Sequence, residues 1–551
     1  MTSVQNWLTD FAHHASNGDG AGVAALFLGD GYWRDYLPFG FTLQTLEGSE
    51  QIADFARTHG AKSGFRNPQF DGARDDQDGF FTFKTRLGTG TGHIRLVDGK
   101  CQTLLTTLDD LQFAPPHSER VDGRDERSPD VLIVGGGQAG LALGAQLSKL
   151  GVSYLIVDNY DRVGGQWRSR YDSLVLHDPV WYDHMPHRPF PEGWPVFTPK
   201  NDMGDWLESY ANALDLNIWT STECIGAEFV EAEWQVELRR NGEPIPVTAT
   251  HLVLAVGVSG FPHTPRFPDR DKFQGPQMHS SAFEGGVGYE GQRVVVVGAN
   301  NSAHDIATDL VAHGAHPVMI QRSSTLVVRQ SVYCEDLLGS LYSKEALEQG
   351  ITTRKADLLS ASIPMRMLEE IHRGLWIRIR EREAEFYDQL QAAGFTIDFA
   401  EDGAGLGLKY RRTASGYYID VGGSQLVIDG KIGIRSGVTV DYLVKDGLVL
   451  STGEHLPADA IVYATGYGMM EDWVGALIDP ETASKIGRCW GYGSGTRGDP
   501  GPWVGELRNM WMPTEQQGLW FMGGNLAQCR FFSHYLALQL QGRLLGLDSG
   551  P

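Results

Sequence analysis

The pattern of hydrophobic and polar positions changes near residue 130. Before it, an amphipathic start that carries Trp7, Leu8 and Phe11 leads into stretches where apolar and polar residues alternate. Those stretches are FFTFKTRL at 80–87, GHIRLV at 92–97 and QTLLTTL at 102–108. A period of two predicts antiparallel strands with one buried face, so residues 1–114 are predicted to form a small α+β domain. Residues 115–129 are polar, charged and flanked by proline, which predicts a linker.

After residue 130 the chain follows a strand–helix–strand pattern twice. The first unit comprises VLIV at 131–134, a helix from Gln138 to Leu150 and YLIVD at 154–158; the second comprises VVVV at 294–297, a helix from Ser302 to His313 and PVMI at 317–320. Such units build parallel, doubly wound sheets. We therefore predict an α/β protein with two Rossmann-like dinucleotide-binding domains, preceded by the small α+β domain.

Two apolar strands that end in small residues suit the crossings between these domains, one of which is inserted in the other. They are LVLAVG at 252–257 and IVYATG at 461–466. The predicted first nucleotide domain comprises residues 130–258 and 461–551, and the second comprises residues 259–460. Within the second, residues 331–415 are predicted to be mainly helical and to supply substrate-pocket residues. The N-terminal domain is expected to form an interface or a wall of the substrate tunnel.

The composition limits the kinds of binding partner and the cellular compartment that are expected for this protein. The net charge of −23 repels nucleic-acid phosphates and an anionic membrane surface. Five scattered cysteines without a Cys-x-x-Cys fit a reducing compartment and argue against a redox disulfide or a cysteine zinc cluster. The N-terminus lacks the pattern of a signal peptide, and no run of about 18 apolar residues predicts a membrane span. We expect a cytoplasmic protein with a small-molecule substrate.

Each unit opens its helix with a glycine-rich turn, and two such turns predict that two dinucleotides meet. In the first turn, Gly135 permits the tight bend, Gly137 lets the backbone approach a pyrophosphate, and Gly140 permits close helix packing. The helix N-terminus offers N–H groups and a partial positive charge to phosphates. Asp158, at the end of the next strand, is placed to accept hydrogen bonds from ribose hydroxyls.

The second turn starts at Gly298 and has Asn300 in place of the middle glycine. Asparagine is the non-glycine residue that best tolerates positive φ, so the turn can survive. Ser302 can contribute a hydroxyl to a phosphate or cap the helix. The following strand ends in Arg322 and Ser323 instead of an acid, and an arginine there attracts a 2′-phosphate, which favours NADPH over NADH.

Between and after the turns lie two further motifs. Phe273-Gln-Gly275-Pro-Gln-Met-His279-Ser-Ser-Ala-Phe283 is similar to the fingerprint Phe-x-Gly-x-x-x-His, followed by an aromatic residue, of the class B flavin monooxygenases. Ala464-Thr465-Gly466-Tyr467 looks like the hinge motif of the same family, and the resemblance spans residues 130–545. The N-terminal domain resembles nuclear transport factor 2 (NTF2) and SnoaL-like proteins. Together they resemble the type II flavin-containing monooxygenases, although Phe283 replaces the tryptophan typical of the main Baeyer–Villiger group.

The resemblance implies FAD and NADPH as cofactors, with NADH accepted as well, and molecular oxygen as co-substrate. It implies that NADPH reduces FAD, that a C4a-(hydro)peroxyflavin forms, and that one oxygen atom enters a small organic substrate. The reaction would be Baeyer–Villiger oxidation of a ketone or N- or S-oxygenation. The candidate cofactor-binding residues are Gly135, Gly137, Gln138, Ala139, Gly140, Asp158, Asn159, Arg162, Gly165, Gln166, Trp167, His177, Gly298, Asn300, Asn301, Ser302, Arg322, Ser323, Thr465 and Gly466. The extra domain is compatible with a homodimer.

Three residues are candidates for the chemistry. We interpret His279 as governing domain movement and NADP placement, with direct chemistry and a core role as alternatives. By the resemblance, residues 176–195 run beside the flavin ring, where Asp178 could tune the peroxide proton or orient NADP. Gln528 holds a comparable position in the C-terminal segment. Prolines in 176–195 prevent its histidines from sharing one face, so no metal site is expected.

Other classes of protein remain as alternatives. A flavin disulfide reductase would need a paired cysteine beside the flavin, and a flavin oxidase normally needs one nucleotide domain. A decarboxylating monooxygenase of the indole-pyruvate type remains open, because the sequence does not separate ketone, amine, sulfide and 2-oxoacid substrates. The intact glycines, Arg322 and His279 argue against a non-catalytic flavin- or NADP-binding sensor.

Overall fold

The computed structural model describes residues 3–73, 77–112 and 127–547. Most of the predicted linker, residues 115–126, lies outside the described residues. The described chain forms an N-terminal α+β domain and two lobes, each built on a parallel sheet. None of its described helices is long and apolar enough to cross a membrane.

The N-terminal domain is a six-stranded sheet with three helices packed on it. Its elements are α1 (Ser3–Ser16), α2 (Gly20–Ala25), β1 (Phe27–Tyr36), β2 (Leu43–Glu47), α3 (Gly48–Ser63), β3 (Arg66–Ala73), β4 (Asp78–Lys84), β5 (Thr89–Val97) and β6 (Lys100–Leu108). The strand order is β2-β1-β6-β5-β4-β3, with β1 parallel to β6 and the other neighbours antiparallel. Phe81 and Phe83, alternating positions of β4, share a core with Trp7, Leu8 and Phe11 of α1. The predicted alternation and the amphipathic helix therefore meet in one hydrophobic core.

The first lobe begins with the predicted strand–helix–strand unit. Its elements are β7 (Val131–Val134), α4 (Gln138–Lys149), β8 (Tyr154–Val157), α5 (Gly165–Arg168), α6 (Val180–Asp183), α7 (Lys200–Ala213), β9 (Ile218–Trp219), β10 (Thr222–Val230), β11 (Glu233–Arg240), β12 (Glu243–Ala249) and β13 (His251–Leu254). Strands β10 to β12 form a separate antiparallel sheet. Every residue of β7, β8 and β13 is buried, as expected for parallel strands covered on both faces.

The second lobe carries the second unit and the helical insertion. Its elements are β14 (Phe261–Pro262), β15 (Gln277–His279), β16 (Arg293–Val297), α8 (Asn301–Ala312), β17 (His316–Gln321), β18 (Thr325–Arg329), α9 (Gln330–Val332), α10 (Lys344–Glu348), α11 (Thr353–Ala361), α12 (Met365–Arg382), α13 (Ala384–Ala392), β19 (Ile397–Asp398), α14 (Gly405–Thr413), β20 (Tyr417–Asp420), α15 (Gly423–Ile428), β21 (Gly433–Ser436), β22 (Val440–Val444), β23 (Gly447–Leu450), β24 (His455–Pro457) and β25 (Ala460–Tyr463). Short 3₁₀ turns span Arg270–Lys272 and Ser280–Ala282, and a π-helical turn spans Tyr333–Leu338.

The chain then returns to the first lobe. The last elements are β26 (Tyr467–Gly468), α16 (Met470–Leu477), α17 (Pro480–Ile486), β27 (Leu519–Phe521) and α18 (Leu526–Leu544). The first-lobe sheet has the order β27-β13-β7-β8-β9, and the second-lobe sheet has the order β15-β25-β16-β17-β21. Because β25 pairs with β16, the return follows Tyr463, a few residues after the predicted boundary at 461. The two crossings lie side by side, since β14 pairs with β26.

The N-terminal domain packs on the final helix of the first lobe. The ring of Tyr36, at the end of β1, lies 6.3, 6.0 and 5.5 Å from the rings of Phe531, Phe532 and Tyr535 of α18. Tyr36 belongs to the same buried cluster as strands β7, β8 and β13. The predicted separate domain therefore shares a hydrophobic core with the first lobe.

Candidate functional site

The first glycine turn leaves no room for side chains. Gly135 has a φ of +112°, and a Cβ there would lie 2.4 Å from the carbonyl oxygen of Ala255. A Cβ on Gly140 would lie 1.9 Å from the carbonyl oxygen of Gly135. Gly137 is extended, at φ −77° and ψ −172°, and gives α4 no side-chain cap. The first N–H groups of α4 therefore suit a phosphate.

Gln166 and Asp158 flank this turn. Both amide atoms of Gln166 are buried and have no hydrogen-bond partner in the described part of the chain, which suits a group that a ligand satisfies. The Asp158 carboxylate accepts hydrogen bonds from the N–H groups of Gly136 at 2.6 Å and Tyr160 at 3.0 Å, and burial raises its pKa. Gly165 packs against the Tyr160 ring, where a Cβ would approach to 2.5 Å. Asp158 thus holds the turn and keeps lone pairs that a ribose could use.

The other residues predicted to bind the first nucleotide differ in how deeply they are buried. Trp167 Nε1 donates to Gln138 Oε1 at 3.3 Å, and Ala139 is buried in α4. Asn159 is exposed. Arg162 is half exposed and forms ion pairs with carboxylates of α7. The inner residues are therefore placed to contact a nucleotide, whereas Arg162 is engaged at the surface.

The second turn repeats the geometry of the first. Gly298 has a φ of +138°, and a Cβ there would lie 2.2 Å from the carbonyl oxygen of Ala464. Asn300, however, is extended at φ −101° and ψ −166°. The expectation that this position depends on tolerance of positive φ is wrong, because Gly137 at the same place in the first turn is extended too.

The asparagines of the second turn anchor it to neighbouring strands. Asn300 Oδ1 accepts a hydrogen bond from the Thr325 hydroxyl at 3.2 Å, and Asn301 Oδ1 accepts one from the N–H of Ile419 at 2.9 Å. Asn300 makes no side-chain cap to α8, so the helix N-terminus remains open to a phosphate. Ser302 lines the cavity described below.

Strand β17 ends in a buried residue, and two exposed residues follow it. Gln321 is buried, and its Nε2 donates to the carbonyl oxygen of Thr396 at 2.8 Å. Arg322 and Ser323 are exposed. Among the described residues, no carboxylate forms an ion pair with Arg322, so its guanidinium is available to a phosphate.

His279 connects the second lobe to the chain crossing that contains Gly466. Its Nδ1 accepts a hydrogen bond from the N–H of Ser281 at 3.1 Å, so the proton lies on Nε2, which donates to the carbonyl oxygen of Gly466 at 3.0 Å. Burial lowers the pKa of the ring. At the same crossing, the Thr465 hydroxyl donates to the carbonyl oxygen of His263 at 2.6 Å. These contacts suit the interpretation of His279 as a residue of domain movement.

Both turns open onto one cavity of about 660 Å³. Gln138 and Trp167 line it from the first lobe, and residues 300–302 line it from the second. The insertion and the C-terminal segment complete the wall, through side chains such as Tyr333 and Asn525. The insertion was predicted to supply pocket residues, but nothing in its sequence pattern singled out the individual side chains.

Two carboxyl groups lie at the cavity wall. Asp178 Oδ1 accepts a hydrogen bond from the Tyr333 hydroxyl at 2.6 Å. Asp183, which sequence reasoning missed, is 1% exposed, and neither of its oxygens has a hydrogen-bond partner in the described chain. Burial raises the pKa of both groups, and Asp178 raises that of Asp183 further. His177 also lines the cavity, with its Nε2 3.9 Å from Asp305 Oδ2. Burial at this wall therefore shifts both carboxyl groups toward their protonated forms.

Gln528 is held at the start of α18 by hydrogen bonds. Its Oε1 accepts hydrogen bonds from the N–H of Asn525 at 3.1 Å and from the Tyr410 hydroxyl at 3.2 Å. Asn525 Oδ1 accepts in return from the N–H of Gln528, which completes a capping box at the start of α18. Asn525 and Leu526 line the cavity, whereas Gln528 lines a smaller one of about 80 Å³. Gln528 therefore caps α18, and its role in the chemistry stays a prediction.

Comparison with known families matches residues 132–399 to the family described as pyridine nucleotide-disulphide oxidoreductase. Among curated proteins, the indole-3-pyruvate monooxygenase YUCCA1 of Oryza sativa subsp. japonica is 34% identical over 221 residues. The match covers 40% of this chain and 53% of that protein, so it spans about half the length of the relative.

Solved structures share the fold at low identity. A flavin-containing monooxygenase from Stenotrophomonas maltophilia has a TM-score of 0.50 at 16% identity, over 76% of this chain and 99% of its own. Cyclohexanone monooxygenase with bound ε-caprolactone has a TM-score of 0.53 at 17% identity, over 76% of this chain and 88% of its own. OTEMO in complex with FAD and NADP has a TM-score of 0.53 at 17% identity, over 76% and 85%. The chain therefore shares its fold with these flavin-dependent monooxygenases, and part of its sequence is similar to an indole-3-pyruvate monooxygenase.

Proposed function

We propose that the chain is an FAD- and NADPH-dependent monooxygenase that inserts one oxygen atom from molecular oxygen into a small organic substrate. The reaction is Baeyer–Villiger oxidation of a ketone or N- or S-oxygenation. The observation that carries the proposal is the single cavity onto which both glycine turns open. A nicotinamide, a flavin and a substrate must approach closely for electrons and oxygen to pass between them, and a shared cavity permits this.

The residues of each turn fit the proposed cofactor. Gly135 and Gly140 leave the backbone bare at the N-terminus of α4, and the unpartnered amide of Gln166 lies beside Gly137. These features suit the pyrophosphate of FAD. The N-terminus of α8 suits the pyrophosphate of NADPH, with Arg322 at the 2′-phosphate. When bound, FAD supplies the electron transfer from NADPH and the activation of oxygen.

The chain's own side chains orient the reactants and control a proton. Asp178, held by the Tyr333 hydroxyl, places a carboxyl group with a raised pKa at the cavity wall. Such a group can keep a proton near the reacting atoms instead of losing it to water. His279 fixes the crossing on which the second lobe moves. The walls that both lobes and the insertion supply limit the access of water to the reaction.

Disulfide reduction is disfavoured despite the family name. All five cysteines are free. Burial raises the pKa of every one of their thiols, so none is a ready thiolate nucleophile. Two dinucleotide sites without a redox cysteine pair fit oxygen as the electron acceptor.

A stopped-flow experiment tests the proposal. The FAD-loaded protein is reduced with NADPH without oxygen, then mixed with oxygen while the near-ultraviolet and visible spectrum is followed. We expect a long-lived species distinct from oxidised and reduced flavin, which decays faster with a ketone or a thioether. Direct return to oxidised flavin with stoichiometric peroxide would identify an oxidase and overturn the proposal.

A further inference from the structure

Helix α14 brings an arginine without an acidic partner to the cavity. Arg411 lines the cavity, and its Nη1 donates to the carbonyl oxygen of Gly407 at 2.9 Å. No carboxylate in the described chain forms an ion pair with it. Its neighbour Arg412 is instead paired with Asp402 at 2.8 Å and Glu369 at 2.7 Å. Since a guanidinium carries five donors, most of those of Arg411 are left for a ligand.

Helix α12 places a second unsatisfied nitrogen beside the arginine. His372 lines the same cavity, and its Nδ1 is buried without a hydrogen-bond partner among the described residues. A Cβ built on Gly407 would lie 3.2 Å from His372 Nδ1 and 3.4 Å from Arg411 Nη1, so the two side chains converge over this glycine. Burial and the charge of Arg411 lower the pKa of His372 to about 3. The imidazole is thus neutral, and its one N–H donates to the backbone carbonyl of Ala404, so the unpartnered Nδ1 can only accept a hydrogen bond and adds no second charge.

The rest of the wall does not neutralise Arg411. Of the carboxyl groups that line the cavity, three have a pKa raised by burial, namely Asp178, Asp183 and Asp305. The fourth, Asp336, is paired with Arg382 at 2.5 Å. The other arginine at the wall, Arg170, donates to the Tyr467 hydroxyl at 2.9 Å beside the crossing. Among the described carboxylates that line the cavity, none therefore serves as a counter-ion to Arg411.

Aromatic side chains stand close to this charge. The rings of Tyr182 and Tyr342 meet edge to face at 4.8 Å, and both tyrosines line the cavity and a smaller adjoining one of about 80 Å³. Arg411 also lines both cavities. A ligand at Arg411 would thus have aromatic surface beside its charged end.

We propose that Arg411 binds a carboxylate of the substrate, with His372 beside it, and that the substrate is an aryl-alkyl acid whose reacting group faces the flavin. This inference rests on the proposed function. A carboxylate that accepts two parallel hydrogen bonds from a guanidinium without a counter-ion gains both charge pairing and a defined geometry. The substrate is therefore selected by its acid group and oriented before reaction.

Ligand binding to the FAD-loaded, oxidised protein tests the inference without turnover. Phenylacetate and its neutral amide, phenylacetamide, are titrated by calorimetry and by the change in flavin absorbance. We expect the acid to bind about 10- to 100-fold more tightly than the amide, the range of one charged hydrogen-bonded contact. Arg411→Gln should remove this preference, and Arg411→Lys should retain part of it because the charge remains without the fork.

Arg378 provides a matched control. It is exposed on α12 and makes the same kind of bond, from Nη1 to the carbonyl oxygen of Gly374 four residues earlier, at 3.2 Å. Arg378→Gln should leave the preference for the acid unchanged. Equal binding of acid and amide by the wild-type protein, or an unchanged preference in Arg411→Gln, overturns the inference.

Two further measurements distinguish this inference from a role of Arg411 in nucleotide binding and from failure of the proposed function. If Arg411→Gln weakens NADP⁺ binding and leaves phenylacetate binding intact, the arginine belongs to a nucleotide phosphate and the inference is wrong. Failure of the proposed function is read independently, as an FAD-loaded protein that NADPH does not reduce or that gives only peroxide with every ketone and thioether. The preference for the acid is measured without NADPH. The inference can therefore fail while the proposed function holds, and the proposed function can fail while the inference holds.

Discussion

Arg34 of the N-terminal domain and Glu506 of the C-terminal segment form a buried, bidentate ion pair. Arg34 Nη2 lies 2.7 and 2.6 Å from the two carboxylate oxygens, and the side chains are 5% and 6% exposed. Arg34 Nη1 also donates to the carbonyl oxygens of Ala361 and Ile363, at 2.5 and 3.1 Å. Ile363 lines the cavity, so one arginine joins the N-terminal domain, the first lobe and the cavity wall.

Breaking this pair should destabilise the protein strongly. Arg34→Met leaves Glu506 as a buried, unpaired charge, at an expected cost of about 3–5 kcal/mol of unfolding free energy. The double variant Arg34→Met/Glu506→Leu should recover much of that loss, because neither charge remains. Thermal unfolding measures both. Arg57→Met, which breaks an exposed pair with Asp54, should change the unfolding temperature little; an equal effect of Arg57→Met and Arg34→Met would contradict the prediction.

Removing the His279 side chain should uncouple NADPH use from product formation. His279→Ala loses the hydrogen bond to the carbonyl oxygen of Gly466, which fixes the crossing between the lobes. We expect a higher KM for NADPH and a smaller yield of oxygenated product per NADPH, measured by oxygen uptake and product analysis. A variant that kept full coupling would show that the histidine has only a packing role.

Asp178→Asn should increase the release of hydrogen peroxide. The amide cannot bind or release a proton as the Asp178 carboxyl group can, although it preserves the shape of the side chain, and burial raises the pKa of that carboxyl group. Tyr333→Phe removes the donor at 2.6 Å that lowers the pKa of Asp178, so it should favour the protonated carboxyl group and should not increase peroxide release. Peroxide formed per NADPH consumed is the measurement, and unchanged coupling in Asp178→Asn would rule out this role.

Arg322→Gln should change the choice of nicotinamide cofactor. The exposed guanidinium at the end of β17 is placed for a 2′-phosphate, which NADH lacks. We expect the KM for NADPH to rise about 10-fold, the size of one charge-assisted contact. The KM for NADH serves as an internal control and should stay constant; a parallel rise in both would point to a general effect on the second lobe.

His304 should make the free energy of unfolding depend on pH in the acid range. It is fully buried, stacks on Tyr418 at 3.9 Å, and burial lowers its pKa to about 4 from 6.5. The unfolded state then binds more protons than the folded state between these values, so the neutral ring's contribution is full above about pH 6.5 and is lost as the pH falls toward 4. This shift corresponds to about 3 kcal/mol.

A comparison with His304→Asn isolates this contribution from that of other titrating groups. Asparagine can preserve the donor to the carbonyl oxygen of Asn300 and does not titrate in this range. The stability difference between wild type and variant should shift against the wild type as the pH falls from 7.5 to 4.5 in denaturant unfolding. A difference that is constant with pH would refute the assignment.

The two nucleotide-binding units could be predicted from the sequence because they depend on local features of the chain. Strands β7 and β16 are apolar runs of β-branched residues, and each is followed by a glycine whose positive φ excludes other residues. The same local logic predicted α1 and the alternating strands of the N-terminal domain. It failed at Asn300, whose backbone is extended, and it did not indicate the capping box that Gln528 forms with Asn525.

What the tertiary structure decided depends on contacts between distant segments. Arg34 and Glu506 are 472 residues apart, and no periodicity links them. The shared cavity, the unpartnered carboxyl group of Asp183 and the unpaired Arg411 likewise exist only once the insertion packs between the lobes. The sequence by itself therefore determined the units and their turns, because short-range sterics and hydrophobic periodicity act along the chain. Only folding determined which side chains are left without partners, because burial and pairing are properties of the packed molecule.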